Sequence, residues 1–99
     1  MEVVTVLYPN KDGGRFDFEY YMKKHVPWVA GLLGKSIEVR RGLASPTGAS
    51  AHFVCMATIN VNSIDEFQPM FAKHGPKILD DLRNFTNIEP MVQFDEVLT

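Results

Sequence analysis

The sequence predicts an α+β domain whose four strands and two helices follow the order β-α-β-β-α-β, and three observations carry that prediction. Two segments, 17–34 and 63–82, repeat their apolar residues at helical spacing. Four others, at 3–8, 36–44, 52–60 and 91–98, are β-branched, aromatic or alternating. The stretches between them are rich in Gly, Pro, Asn and Ser, which mark turns. This order is the ferredoxin-like plan, a four-stranded antiparallel sheet with both helices on one face. At 99 residues the chain makes one domain, spanning 1–99.

The first strand, Val3 to Tyr8, stops at the turn-rich loop Pro9-Asn10-Lys11-Asp12-Gly13-Gly14. The first helix starts at Asp17, a good N-cap, and ends near Gly34. At about 100° per residue, Phe18, Tyr21, Met22, His25, Val26, Trp28, Val29, Leu32 and Leu33 fall within one arc of roughly 160°. Pro27 lies on the outer side, removes the hydrogen bond to the Lys23 carbonyl and predicts a bend. Ser36 to Ala44 alternates, with Ile37, Val39, Arg41 and Leu43 against Glu38, Arg40 and Gly42. His52 to Asn60 returns through the turn cluster at 45–50 as an antiparallel hairpin. Ser63 and Glu66 form a capping box for the second helix, whose inner face carries Ile64, Phe67, Met70, Phe71 and His74. Gly75-Pro76 predicts a break or bend there, with Lys77 to Leu82 as a further short helical piece. The last strand, Met91 to Leu98, is entered through Pro90.

Composition narrows the function. Ten basic and 12 acidic residues give a formal charge of −2, and the basic ones are scattered. A nucleic-acid surface normally shows a clustered basic patch, so none is expected. No apolar run approaches the ~20 residues of a membrane span. Met1 to Tyr8 lacks a basic segment followed by an apolar one, so a signal peptide is not expected and a cytoplasmic location is. The single cysteine, Cys55, rules out an internal disulfide and a multi-cysteine zinc site. Three histidines without a His-x-x-x-His pair give no metal centre, and no Cys-x-x-Cys-His run supports haem. No cofactor is expected.

The strands carry a further message. The first is apolar on both sides, as are the third and much of the fourth. A second apolar sheet face needs a cover, and the chain has no third helix to supply one. The economical cover is a second copy, in a homodimer packed sheet to sheet.

His25 is the leading candidate for chemistry. It lies within the apolar arc of the first helix, beside Tyr21, Trp28, Val29 and Leu32. Burial would keep its imidazole neutral, which suits a general base. The structural alternative is a core histidine bonded to a carbonyl or a tyrosine. Tyr8, Tyr21, Trp28, Phe53, Met56, Met70, Phe71 and Phe85 offer aromatic and methionine walls for a flat apolar ligand, and ordinary core packing accounts for most of them, leaving three or four to touch a ligand. His74 sits near a helix C-terminus, where the dipole favours it, and is also carried as a ligand-lining candidate. Arg41 shares its face with apolar neighbours and is expected to bind an anion or to pair across the dimer. Asp81 has Arg83 and a histidine as candidate partners. Cys55 reads as inert packing.

Val-Leu-Tyr-Pro at 6–9, Phe-Asp-Phe-Glu-Tyr-Tyr-Met-Lys-Lys-His-Val-Pro at 16–27, Arg-Gly-Leu at 41–43 and Asp-x-x-Asn-Phe-Thr-x-x-x-Pro at 81–90 together resemble the EthD family, named for ethyl tert-butyl ether degradation, of the dimeric α+β barrel superfamily. The resemblance covers nearly the whole chain. It implies a ferredoxin-like fold dimerised sheet to sheet, with a pocket between the helices and the sheet of each subunit. The superfamily includes muconolactone isomerases, cofactor-free monooxygenases, polyketide cyclases, dehydratases, haem-degrading enzymes and non-catalytic regulators. The family histidine falls on His25, which the resemblance implies as the acid/base, with Tyr21 to orient it or the substrate. Two functions follow. One is a small cofactor-independent enzyme of isomerase, lyase or monooxygenase type acting on an aromatic, lactone or polyketide-like substrate. The other is a non-catalytic dimer that binds an apolar metabolite or assists an oxidative degradation pathway. A cavity of about 300 Å³ or more at His25 favours the first; solid packing against a carbonyl favours the second.

Overall fold

Apolar rows from four strands zip into one sheet. The computed structural model describes residues 1–99. The strands are β1 (Glu2–Pro9), β2 (Ile37–Arg41), β3 (Phe53–Asn60) and β4 (Met91–Glu96). Their spatial order is β2-β3-β1-β4 with every pairing antiparallel. Helix α1 (18–33) joins β1 to β2, and α2 (Ile64–Asp80), followed by a 3-10 turn at Asp81–Asn84, joins β3 to β4. This is the ferredoxin-like arrangement. Ile37, Ile59, Val4 and Phe94 stand in one row across the sheet, and Val39, Ala57, Val6 and Val92 in the next. Both rows face the helices. No helix is long and apolar enough to cross a membrane.

Helix α1 departs from a uniform spiral, and its sequence explains why. Asp17 accepts the Tyr20 amide at 3.1 Å to start it, and Gly34, at φ 64°, ends it. Its buried residues are Tyr21, His25, Val29 and Leu33, each four positions from the last. An α-helix turns about 100° per residue, so a four-residue spacing drifts by about 40° a step. One wide π turn, Tyr21–His25, takes up that drift: the Val26 amide bonds the Tyr21 carbonyl, five residues back. The stripe of four therefore stays on the sheet. Met22 and Trp28, inside the apolar arc of a uniform helix, are 46% and 37% exposed instead. Pro27 follows the π turn on the solvent side, and the bend it predicts takes the form of this widened turn.

Helix α2 is continuous, which corrects the break expected at Gly75-Pro76. Pro69 and Pro76 are both exposed and seven residues apart, so both lie on the water side. The carbonyls of Asp65 and Ala72, which lose their amide donors, belong to exposed residues that water reaches. The capping box is half formed. Ser63 Oγ accepts the Glu66 amide at 3.1 Å, but the Glu66 carboxylate turns to Lys35 and Asn62. Glu2 of β1 accepts the Ile64 amide at 2.8 Å instead.

Between helices and sheet the core divides in two. An aliphatic cluster holds Val4, Val29, Leu33, Ile59, Val61, Phe67 and Ile78. An aromatic one holds Tyr8, Tyr21, Cys55, Phe85 and Ile88, with Phe16 against it. The opposite sheet face is mixed, a correction to the expectation that β1, β3 and much of β4 are apolar on both sides. Leu7, Met56 and Met91 stand in register, but Glu38, Thr58, Thr5 and Gln93 form the next row. Thr5 donates to the Asp95 carboxylate on that face.

Candidate functional site

Backbone ties carry Asp81 to His25. The Asp17 amide donates to the Phe85 carbonyl at 2.8 Å, and Thr86 Oγ1 donates to the Arg15 carbonyl at 2.7 Å. The segment leaving α2 is thus pinned beside the start of α1. Asp81, first residue of the 3-10 turn, then reaches His25: Asp81 Oδ2 lies 2.8 Å from His25 Nδ1. Its other oxygen accepts from the Tyr20 hydroxyl and from Asn84 Nδ2, each at 2.8 Å. Arg83, the alternative partner in sequence, bonds Asp80.

The electrostatics assign the proton. Burial alone would raise the Asp81 carboxyl, but hydrogen bonds from His25, Asn84 and Tyr20 hold it below the usual carboxylate range. Burial pushes His25 below its ordinary value, with Asp81 opposing the shift only in part. The ionised carboxylate only accepts, so the neutral imidazole carries its proton on Nδ1. Its lone pair sits on Nε2, which has no partner within the chain and is not sealed from solvent.

Nε2 belongs to a ring that lines a cavity of about 60 Å³ between α1, α2 and the sheet. Sixteen residues line it, 14 of them hydrophobic. The space straddles the two core clusters, taking Tyr8 and Tyr21 from one and Val29, Leu33, Ile59 and Ile78 from the other. It holds more than one water and falls short of the ~300 Å³ at which ligand sites usually begin. Leu79 and Val92, each about half exposed, stand among the lining residues. Burial raises the phenols of Tyr8 and Tyr21, so both remain protonated donors. Their hydroxyls face one another and the Cys55 thiol, which burial pushes up to about 11. A protonated thiol of this kind is a poor nucleophile.

Of the residues singled out in the sequence, Tyr8, Tyr21, His25 and Phe71 meet at the cavity. Tyr21 stacks on the His25 ring at 5.5 Å and 18°, while the hydrogen bond that orients the imidazole comes from Asp81. Phe85 supports the pair from behind, 4.6 Å from His25 and 1% exposed. Trp28 presents its edge to His25 at 6.1 Å from the outer side. The others stand apart from the cavity. Arg41 is exposed, its guanidinium 4.4 Å over the Phe18 ring. Met56 points to the opposite sheet face, Met70 packs on the aliphatic cluster, and Phe53 begins β3. His74 is half-buried with its Nδ1 unpaired. The aliphatic walls Val29, Leu33, Ile37 and Ile78 line the cavity as well; residue pattern marks them as core, and only the packing of helices on sheet shows that they converge.

A ferredoxin-like domain with a histidine–aspartate pair at a cavity between helices and sheet is the class of protein this geometry defines. The chain belongs to the EthD family. It is 37% identical to an EthD-like protein from Ralstonia eutropha JMP134, with a TM-score of 0.92 over 99% of this chain and 92% of that one. An ethyl tert-butyl ether degradation family protein from Bacillus halodurans C-125 shares the fold at 21% identity and TM-score 0.78, covering 99% of both chains. HapK from Hahella chejuensis shares it at 17% identity and TM-score 0.62, over 99% of this chain and 93% of that one. Neither a family model nor a curated protein matches the chain.

Proposed function

We propose that this protein is a small cofactor-independent enzyme, of isomerase, lyase or monooxygenase type, that moves a proton on an apolar organic substrate in catabolic or secondary metabolism. It works in the cytoplasm as a homodimer joined through the sheet face that carries Leu7, Met56 and Met91. The observation that carries this reading is the 2.8 Å His25–Asp81 bond, which leaves Nε2 as the basic nitrogen of an imidazole that lines a cavity. Asp81 orients the ring and stabilises the imidazolium once a proton arrives. Tyr21 packs the ring in place and Tyr8 is the donor to an oxyanion that forms.

A second reading is a non-catalytic binder, and the cavity's size of about 60 Å³ favours it. One experiment separates the two. Phenols, quinones and lactones are screened by thermal shift, and a hit at 100 times its dissociation constant adds about 2.7 kcal/mol of stability. Turnover of that hit is then followed in His25→Ala and Asp81→Asn. The enzyme reading expects rates about 10²-fold or more lower in His25→Ala. Unchanged turnover in His25→Ala rejects it, and binding with no turnover in the parent protein selects the binder.

A further inference from the structure

We propose that the cavity at His25 selects a ligand that brings a proton but no charge, such as a phenol or an enolisable ketone, and rejects carboxylates and phosphates. This rests on reading His25 as the base and adds what the base acts upon. The lining contains no lysine and no arginine. Arg41, the sequence's candidate for binding a carboxylate, is engaged over Phe18 outside the cavity. The fixed charge nearest the imidazole is instead negative: Asp81 sits on the far side of the ring, 2.8 Å from Nδ1.

That arrangement discriminates by charge. A ligand that arrives as an anion places a second negative charge one imidazole away from Asp81, inside a lining that is apolar and holds no cation. A ligand that arrives neutral adds none. Its O–H or C–H proton passes to Nε2, and the electron pair of the broken bond stays on the ligand as an oxyanion or enolate. The resulting imidazolium lies between that anion and Asp81, so the site's total charge is unchanged by the transfer. The Tyr8 hydroxyl, kept protonated by burial, is the donor available to the new oxyanion, the Tyr21 hydroxyl being engaged with Tyr8 and Cys55. A single ring fits only when side chains such as Leu79 and Val92 swing aside, so a monocyclic ligand is the natural size.

The test uses para-nitrophenol and para-nitrobenzoate, matched in shape and differing in whether the acidic group is still protonated. Each is titrated calorimetrically into the purified protein at mildly acidic pH. The nitrophenol is expected to bind at least about tenfold tighter, a difference of ~1.4 kcal/mol. Equal or tighter binding of the nitrobenzoate overturns the proposal, and so does binding of neither. Repeating the titration with His25→Gln, while following the yellow phenolate band, separates this proposal from the catalytic reading. Preference for the neutral probe persists in the variant because the lining still holds no cation, whereas the phenolate band of the bound probe disappears. A band of undiminished strength in His25→Gln overturns His25 as the base and leaves the charge preference standing.

Discussion

His25 and Asp81 are each ordinary residues made unusual by their surroundings, and acid should expose the fact. Burial puts the folded value of His25 below its ordinary 6.5, so on acidification the unfolded chain takes up that proton first. The stability this gives is complete above 6.5 and is lost as pH falls from there through the folded value. Asp81 lies below its ordinary 3.8, so its contribution is complete above 3.8 and is lost as pH falls from there through its own folded value. Urea midpoints should therefore drop between about pH 7 and pH 5, and the drop should be shallower in His25→Gln. An identical slope in that variant would show that His25 is not desolvated. Asp81→Ala strands the buried His25 donor, while Tyr20 and Asn84 turn to water, and should cost roughly 1–3 kcal/mol by chemical denaturation. The candidacy of His25 was legible in the sequence, since a histidine on an apolar arc needs a partner. Its partner was legible only as one of two choices for Asp81, Arg83 or a histidine, because Asp81 is 56 residues from His25 and its approach depends on contacts between two loops.

At the level of elements, the π turn and Pro27 belong together. Pro27 denies an amide to the Lys23 carbonyl, and the wide turn before it relieves the crowding a tight helix would impose. Pro27→Ala restores the donor, worth up to ~3 kcal/mol of helix propensity. The turn should then tighten to α geometry and swing His25 off Asp81. Nitrogen-detected NMR of the imidazole would report it as loss of the single Nδ1–H tautomer and a titration closer to 6.5. An unchanged tautomer would show that the buried stripe alone holds the turn. The strands and both helix starts could be read from residue pattern, because alternation and capping are local. The π turn could not be read with a fixed 3.6 period, although the strict four-residue spacing of Tyr21, His25, Val29 and Leu33 was its trace. The unbroken α2 has a similar origin: the Gly75-Pro76 pair is a local signal for a break, and only the side it faces shows that water can take up the freed carbonyl.

For the molecule as a whole, strand order and helix placement were legible because β-α-β-β-α-β with one apolar helix stripe each admits few arrangements. The mixed far face was less so, since Thr5, Gln93 and Asp95 are polar positions inside strands that read as apolar. If the row Leu7, Met56 and Met91 is the dimer seam, sedimentation should give twice the 11.2 kDa chain mass, and Met56→Glu should shift it toward the single mass. A single mass for the parent protein would refute the seam. The Glu2 carboxylate that closes the first turn of α2 has an implication for how the molecule assembles. Its acceptor comes from 62 residues upstream, so the second half of the chain cannot finish that turn until the earliest strand has taken its place. Initiation of α2 is in this way slaved to a long-range event, which favours an all-or-none collapse over stepwise growth and leaves an isolated C-terminal fragment frayed at its start.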